Sequence, residues 1–296
     1  MNYINFSFII PHHNIPLLLS RCIKSIPNRN DIQIIIVDDN SSLTEDEWKI
    51  ISDLKNKYTE IYFTTEGKGA GYARNIGLSH AIGKWVLFAD ADDFFTEELN
   101  YLLDTYSNSE YDIIFFNAKS VYSDTLDDAN RNLELQKFFN LNEIDNFRYS
   151  FYPPWCKMIK RNVILENSIS FSETKAANDA MFSVNIGWYS KHFKLDSTIG
   201  YCVTFRHGSL EQTKSTDVIK DRIFISLEVN KFYKEHHIPR KCDLYYRHLL
   251  NLLFKNKKVF IKALKLCKSY GHSYLSLCLN MLNRILIKTL KTLANR

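Results

Sequence analysis

The sequence predicts an α/β fold: a mostly parallel sheet flanked by helices, with a helical extension at the C-terminus. Strand and helix signals alternate over the first 117 residues, residues 32–37 form a β-branched apolar run, and the pattern is helical from about 216 to the end. Alternating strands and helices build a parallel sheet through right-handed crossovers, and a strand buried on both faces reads as a continuous apolar run.

The elements follow in order. Residues 4–10 form an apolar run that Pro11 is expected to end, and residues 17–26 carry apolar positions at helical spacing. The strand at 32–37 leads to Thr44, which with Glu47 three residues on has the spacing of a capping box; the helix it starts is expected to reach about Tyr58. A short strand at 61–64, a helix at 71–82, a strand at 85–89, a helix at 96–106 and a strand at 113–116 complete the alternation. Residues 118–150 are polar and predict an irregular insertion. Residues 151–206 mix short strands with one helix at about 178–190.

The chain has 296 residues, 45% hydrophobic and 24% charged, which excludes a disordered or low-complexity protein. Its charge is unevenly placed. Residues 1–200 carry 19 Lys and Arg against 27 Asp and Glu, whereas residues 201–296 carry 19 against 6, and no acidic residue follows Asp243. An acidic body with a basic tail points to two tasks, the tail meeting something anionic. The six cysteines, at 22, 156, 202, 242, 267 and 278, have neither CxxC nor zinc-site spacing and read as reduced thiols of a cytosolic protein. The N-terminus has no basic region, its apolar run is short for a signal peptide, and no stretch of about 20 apolar residues exists to span a bilayer.

In a parallel sheet, ligands bind at the carboxyl ends of the strands. Four strand ends here carry polar clusters: Pro11-His12-His13-Asn14, Asp38-Asp39-Asn40-Ser41, the stretch from Glu66 to Asn75 with Gly67, Gly69, Gly71 and Arg74, and Asp90-Ala91-Asp92-Asp93. Together they predict one rim. Three carboxylates within four residues repel one another unless a cation sits among them, and oxygen ligands suit Mg²⁺ or Mn²⁺; an acidic loop before a helix capped at Thr96 is the plainer alternative. Asp38 and Asp39 can accept N–H bonds from a nucleobase edge or cap the next helix. Arg74 can meet a phosphate or a carboxylate. Gly69-x-Gly71 is no dinucleotide loop, because it lacks the third spaced Gly and does not follow the first strand.

The ordered run IIPHHN, VDDNS, GAGYARNIG and FADADD resembles the inverting family 2 glycosyltransferases of GT-A fold, over roughly residues 4–117. The likeness continues more thinly through Trp155-Cys156-Lys157-Met158 and Asn178-Asp179-Ala180-Met181-Phe182. The resemblance implies a nucleotide-sugar-binding half over 1–117, an acceptor-binding half with the catalytic base over 118–210, and a basic helical region over 211–296. It implies that Pro11, Asn14, Asp38, Asp39, Arg74, Asp90 and Ala91 line the nucleotide-sugar site, with Asp39 on the base, a uracil. Asp90 and Asp92 are implied to hold Mg²⁺ or Mn²⁺, with His207 as a further ligand. Asp179 matches the family's catalytic base, although Asn178 stands where a Glu is commoner.

The function so implied is metal-dependent, inverting transfer of a sugar from a UDP-linked donor to a glycan or lipid-linked acceptor in bacterial surface-polysaccharide synthesis. A non-catalytic GT-A module that binds glycan or a partner, and a nucleotidyltransferase, are the alternatives. A phosphatase of Asp-x-Asp type fits less well, since its nucleophile follows the first strand, where this chain has His12-His13. In the tail, Leu275, Leu279, Leu282, Ile285, Leu286, Leu290 and Leu293 keep helical spacing, with Arg284, Lys288 and Lys291 among them. Such a segment suits the anionic cytoplasmic face of a membrane, or packs its apolar stripe as core. No nucleic-acid motif accompanies its charge, so no nucleic-acid partner is expected.

Overall fold

The computed structural model describes residues 3–129, 135, 138–139, 143–205, 215–242 and 244–283. The elements, in chain order, are β1 (Phe6–His12), α1 (Pro16–Ser25), β2 (Ile32–Asp39), α2 (Glu45–Ser52), β3 (Thr59–Thr64), α3 (Ala70–His80), β4 (Trp85–Phe88), β5 (Phe94–Phe95), α4 (Leu99–Tyr106), β6 (Ile113–Tyr122), α5 (Ile144–Tyr149), β7 (Lys157–Lys160), α6 (Arg161–Glu166), α7 (Ala180–Tyr189), β8 (Phe193–Phe205), α8 (Thr216–Glu235), α9 (Leu244–Lys255) and α10 (Lys257–Ser269). An eleventh helix, α11, occupies 274–283. The chain divides into two compact units, Met1–Glu173 with Phe182–Ser209, and Thr174–Met181 with Leu210–Arg296.

The first unit is built on one eight-stranded sheet of order β3-β2-β1-β4-β7-β6-β8-β5. Strands β3, β2, β1 and β4 run parallel, in the register Phe6↔Ile32 and Phe6↔Trp85. Strand β7 lies antiparallel between β4 and β6, and β8 returns parallel to β6. Every residue of β2 is buried, as its apolar run predicts. Phe8, Ile9, Ile35, Trp85, Leu87, Ile114 and Phe115 belong to a core that covers both faces of the sheet. The second unit has its own core, in which Ile223, Leu227, Tyr245, Leu249, Leu252, Cys267 and Leu277 pack together from α8 to α11.

Several boundaries differ from the sequence reading, each for a physical reason. Strand β1 continues past Pro11 to His12, paired with Asp38 of β2. The pairing with β4 stops at Ile9↔Phe88, so the missing N–H of Pro11 breaks no ladder on that side. The capping box of Thr44 and Glu47 is formed, but the helix stops at Ser52, and Asn56 bridges to Thr59. Thr96 does not cap α4; its hydroxyl donates to the carbonyl of Ile199 on β8 at 2.5 Å, and the helix starts at Leu99. The stretch 118–150 is not irregular throughout. Strand β6 runs on to Tyr122 against β8, and α5 occupies Ile144–Tyr149.

Candidate active site

Because β1, β2, β3 and β4 are parallel, their carboxyl ends share one rim, and the polar clusters of the sequence meet there. The β1 end is tied to the β2 end. His12 Nδ1 donates to Asp38 Oδ2 at 2.7 Å, and its Nε2 accepts the Ile15 N–H at 3.1 Å, which fixes the tautomer. Asp38 also accepts the Ser41 N–H at 2.9 Å. Burial pushes the Asp38 carboxyl up, but the hydrogen bonds from His12 and Ser41 outweigh it and hold the group below the usual carboxylate range. His12 and Asp38 are thus turned into the protein and shape the loop. Asn14, in the left-handed region at φ 56°, accepts the Ser42 N–H at 2.7 Å and donates its own N–H to Ser41 Oγ at 2.9 Å.

Asp39 joins the β2 end to the glycine-rich loop. It accepts from the Thr64 hydroxyl at 3.0 Å and from the Gly69 N–H at 2.7 Å. Gly69 is the residue before α3, at φ 95°, where an L side chain is strained. A carboxylate has about four acceptor positions, so Asp39 retains capacity for further donors. Pro11 and Ala91 sit beside these groups as backbone, Pro11 inside β1 and Ala91 buried after β4.

The cluster after β4 separates into two roles. Arg74, buried on α3, donates from Nη2 to Asp90 Oδ1 at 2.6 Å and lies over the Phe171 ring at 5.4 Å. Asp93 points inward instead: only 3% exposed, it accepts from the Tyr201 hydroxyl at 2.9 Å and the Thr204 N–H at 2.6 Å, both on β8. Of the three acids of the cluster, Asp93 is thus turned away from the rim, which leaves Asp90 and Asp92 there. Burial raises the Asp93 carboxyl well above its usual range, with the charges of Asp90 and Asp92 adding to it. Burial also pushes Asp90 up; Arg74 pulls it down, Asp92 pushes it up, and the net direction is upward.

Among the described residues no three His, Cys, Asp or Glu side chains form a metal cage. Two carboxylates still fit a hard cation of the Mg²⁺ kind, which takes one or two protein carboxylates and completes its shell with phosphate oxygens and water. His207 lies outside the described residues. Asp179 directly precedes α7, within the segment Thr174–Met181 of the second unit, after Ala177 at φ 56°.

The model of Glycosyl transferase family 2 matches residues 7–167, more than half of the chain. The chain belongs to glycosyltransferase family 2. It is 28% identical over 273 residues to a Campylobacter jejuni GalNAc(5)-diNAcBac-PP-undecaprenol beta-1,3-glucosyltransferase, covering 87% of this chain and 86% of that one. It is 28% identical over 211 residues to a Bacillus spizizenii poly(ribitol-phosphate) beta-glucosyltransferase, covering 66% of this chain but only 31% of that longer one. The fold is shared with S. aureus TarS 1-349 in complex with UDP-GlcNAc, at a TM-score of 0.64, 20% identity, and 88% and 79% coverage of the two chains. It is shared also with a Pyrobaculum calidifontis mannosyltransferase, at a TM-score of 0.56, 14% identity, and 97% and 81% coverage. The architecture is thus GT-A, as the motifs implied.

Parts of the glycosyltransferase site had no sequence signal. Arg21 of α1 donates from Nη2 to the Asp92 carbonyl at 2.6 Å and from Nη1 to the Ser123 carbonyl at 3.2 Å. Thr204 Oγ1 donates to the same Asp92 carbonyl at 2.6 Å, and the Asp90 N–H donates to the Tyr201 hydroxyl at 3.0 Å. Trp155 stacks on the Tyr201 ring, centroids 5.5 Å apart, just before Cys156 at φ 59°. These partners lie 71 to 112 residues from the acidic loop, too far for any local pattern. Arg21→Ala is expected to lower turnover at saturating donor at least about tenfold and stability by about 1–3 kcal/mol, the cost of stranding buried acceptors. Arg21→Lys should recover part of the turnover; steady-state kinetics and urea melts check both.

Proposed function

We propose that this glycosyltransferase moves a sugar from a UDP-linked donor to a glycan or lipid-linked acceptor, with inversion and a divalent cation, in the synthesis of a bacterial surface polymer. The observation that carries the reading is the convergence of Asp39, Arg74, Asp90 and Asp92 on one rim of a family 2 fold. The names of the relatives, one acting on an undecaprenol-linked and one on a ribitol-phosphate acceptor, support the acceptor class. TarS complexes with UDP-GlcNAc and UDP support the nucleotide, and the mannosyltransferase complex with GDP-Man and Mn²⁺ supports the metal. A lipid-linked acceptor sets the reaction at the cytoplasmic face of a membrane, to which the protein binds peripherally. No helix of the described residues is long and apolar enough to cross one.

In this reading, Asp39 accepts the N–H of a uracil ring, its existing donors Thr64 and Gly69 holding the carboxylate still. Arg74 holds the Asp90 carboxylate in place through its 2.6 Å ion pair. Asp90 and Asp92 would hold Mg²⁺ or Mn²⁺, which supplies charge compensation for the departing diphosphate. Asp179 is given the role of general base, taking the proton of the attacking hydroxyl in an inverting transfer.

A panel of UDP-, GDP- and other nucleotide-sugars, with Mn²⁺ or Mg²⁺, tests the donor by hydrolysis and thermal shift. Release of a nucleoside diphosphate from a UDP-sugar is the expected result; release of pyrophosphate from a nucleoside triphosphate would replace the reading with nucleotidyl transfer. Asp39→Ala should weaken UDP binding by about 1–3 kcal/mol, the value of a hydrogen bond to a charged group. Titration calorimetry showing equal UDP affinity in both proteins would take Asp39 out of the site.

A further inference from the structure

The last helices of the second unit present two adjoining faces of unlike chemistry. On α10, Lys257, Lys258, Lys262, Lys265 and Lys268 are all exposed, with Ile261 among them. At 100° per residue these six positions fall within one arc of about 140°. The opposite side of the helix is spent on the core, through Ala263 and Cys267.

Helix α11 does the converse. Leu277 and Met281 point into the core of the unit, while Leu275, Leu279 and Leu282 are 72%, 53% and 60% exposed. The described positions of the apolar stripe, 275, 279 and 282, are therefore not the core-packing ones, and Ile285, Leu286, Leu290 and Leu293 lie outside the described residues. The two faces are adjoined at Lys268, whose ammonium lies 5.3 Å from the centroid of the Tyr274 ring, across the turn at Gly271. Solvent-exposed leucines recurring at i, i+4 and i+7 need a partner, because water gains nothing from them.

We propose that this face, the lysine arc of α10 with the leucine ridge of α11, docks the enzyme on the surface of an anionic lipid bilayer. Charge complementarity selects the occupant: five lysines and no acid on the arc call for negative charge, and no acidic residue follows Asp243 anywhere in the chain. The leucine ridge selects lipid over nucleic acid, since a phosphate backbone offers nothing for three leucines, whereas a bilayer takes them into the acyl boundary beneath its headgroups. The inference deepens the reading of a lipid-linked acceptor by naming the surface that meets the membrane. Its test reads binding rather than sugar transfer, so either proposal can fail alone.

The full chain is sedimented with phosphatidylcholine vesicles, with or without phosphatidylglycerol, at low and high salt. Binding to the phosphatidylglycerol vesicles alone is expected, weaker at high salt because surface charge is screened. Each lysine near such a surface contributes about fivefold in partitioning, so Lys258→Gln/Lys262→Gln/Lys265→Gln should bind about a hundredfold more weakly. Leu275→Ser/Leu279→Ser/Leu282→Ser should lose the binding that survives salt. Both variants alter exposed side chains and should keep the parent circular dichroism melt. No sedimentation of the full chain at low salt overturns the proposal. So does vesicle binding unchanged in both variants. A dimer of the parent protein that the serine variant disperses, without vesicle binding, would assign the ridge to a second copy of the chain. Retention by a nucleic-acid duplex without vesicle binding would assign the arc there.

Discussion

Asp92→Asn is expected to abolish sugar transfer and leave the fold intact. The loop that carries Asp92 is anchored through its backbone: the Asp92 carbonyl accepts from Arg21 and from Thr204, both at 2.6 Å. Neither bond involves the carboxylate, so an amide of the same shape leaves both in place. What is lost, under the proposed function, is one of the two carboxylates at the rim that would hold the cation, Asp93 being turned inward. With the donor diphosphate uncompensated, turnover should fall by at least about 10²–10³-fold, the scale of removing one preorganised electrostatic contact from a transition state. The melting temperature should stay close to that of the parent, as for substitutions away from buried networks. Full activity of the parent enzyme in excess EDTA would remove the metal from the scheme.

Asp179→Asn should cut turnover by about 10²–10⁴-fold, the usual contribution of a positioned general base, with donor affinity unchanged. The reason is that a base abstracting the acceptor proton acts only in the transition state, whereas the donor is held by other groups. A KM-against-kcat split decides between roles: a fall in donor affinity with full turnover at saturation would make Asp179 a binding residue. The neighbouring Asn178, whose Nδ2 donates to the Thr174 carbonyl at 3.5 Å, braces the turn before α7. Asn178→Ala should therefore cost less turnover than the Asp179 change.

The parallel half of the sheet was legible because each of its features is local. Ile34, Ile35 and Ile36 announce a strand buried on both faces, and Thr44 with Glu47 announces a helix start. The acids after β4 announce the rim. What local pattern does not carry is where a side chain turns. Asp90 and Asp93 sit three residues apart in the same acidic run, yet one meets Arg74 and the other is drawn inward by Tyr201 and Thr204, more than a hundred residues on. Thr96 has the composition of a helix cap and serves instead as a peg to β8. The reach of β6 through the polar stretch 118–122 was hidden for the same reason, since its pairing partner is β8.

The inward turn of Asp93 also has a bearing on the order in which the protein folds. The acidic loop lies between β4 and β5, and among the described residues β5 pairs with β8 alone, whose Tyr201 and Cys202 lie opposite Phe95 and Phe94. Loop closure over about a hundred residues must therefore precede formation of the loop, a costly and slow step in any chain. On the ribosome, β1 to β4 can pair while the acidic loop is still slack, because Thr204 has yet to emerge. A nascent chain halted before β8 should hold the parallel strands yet show no cation-dependent nucleotide binding, and competence should switch on as the last strand leaves the exit tunnel.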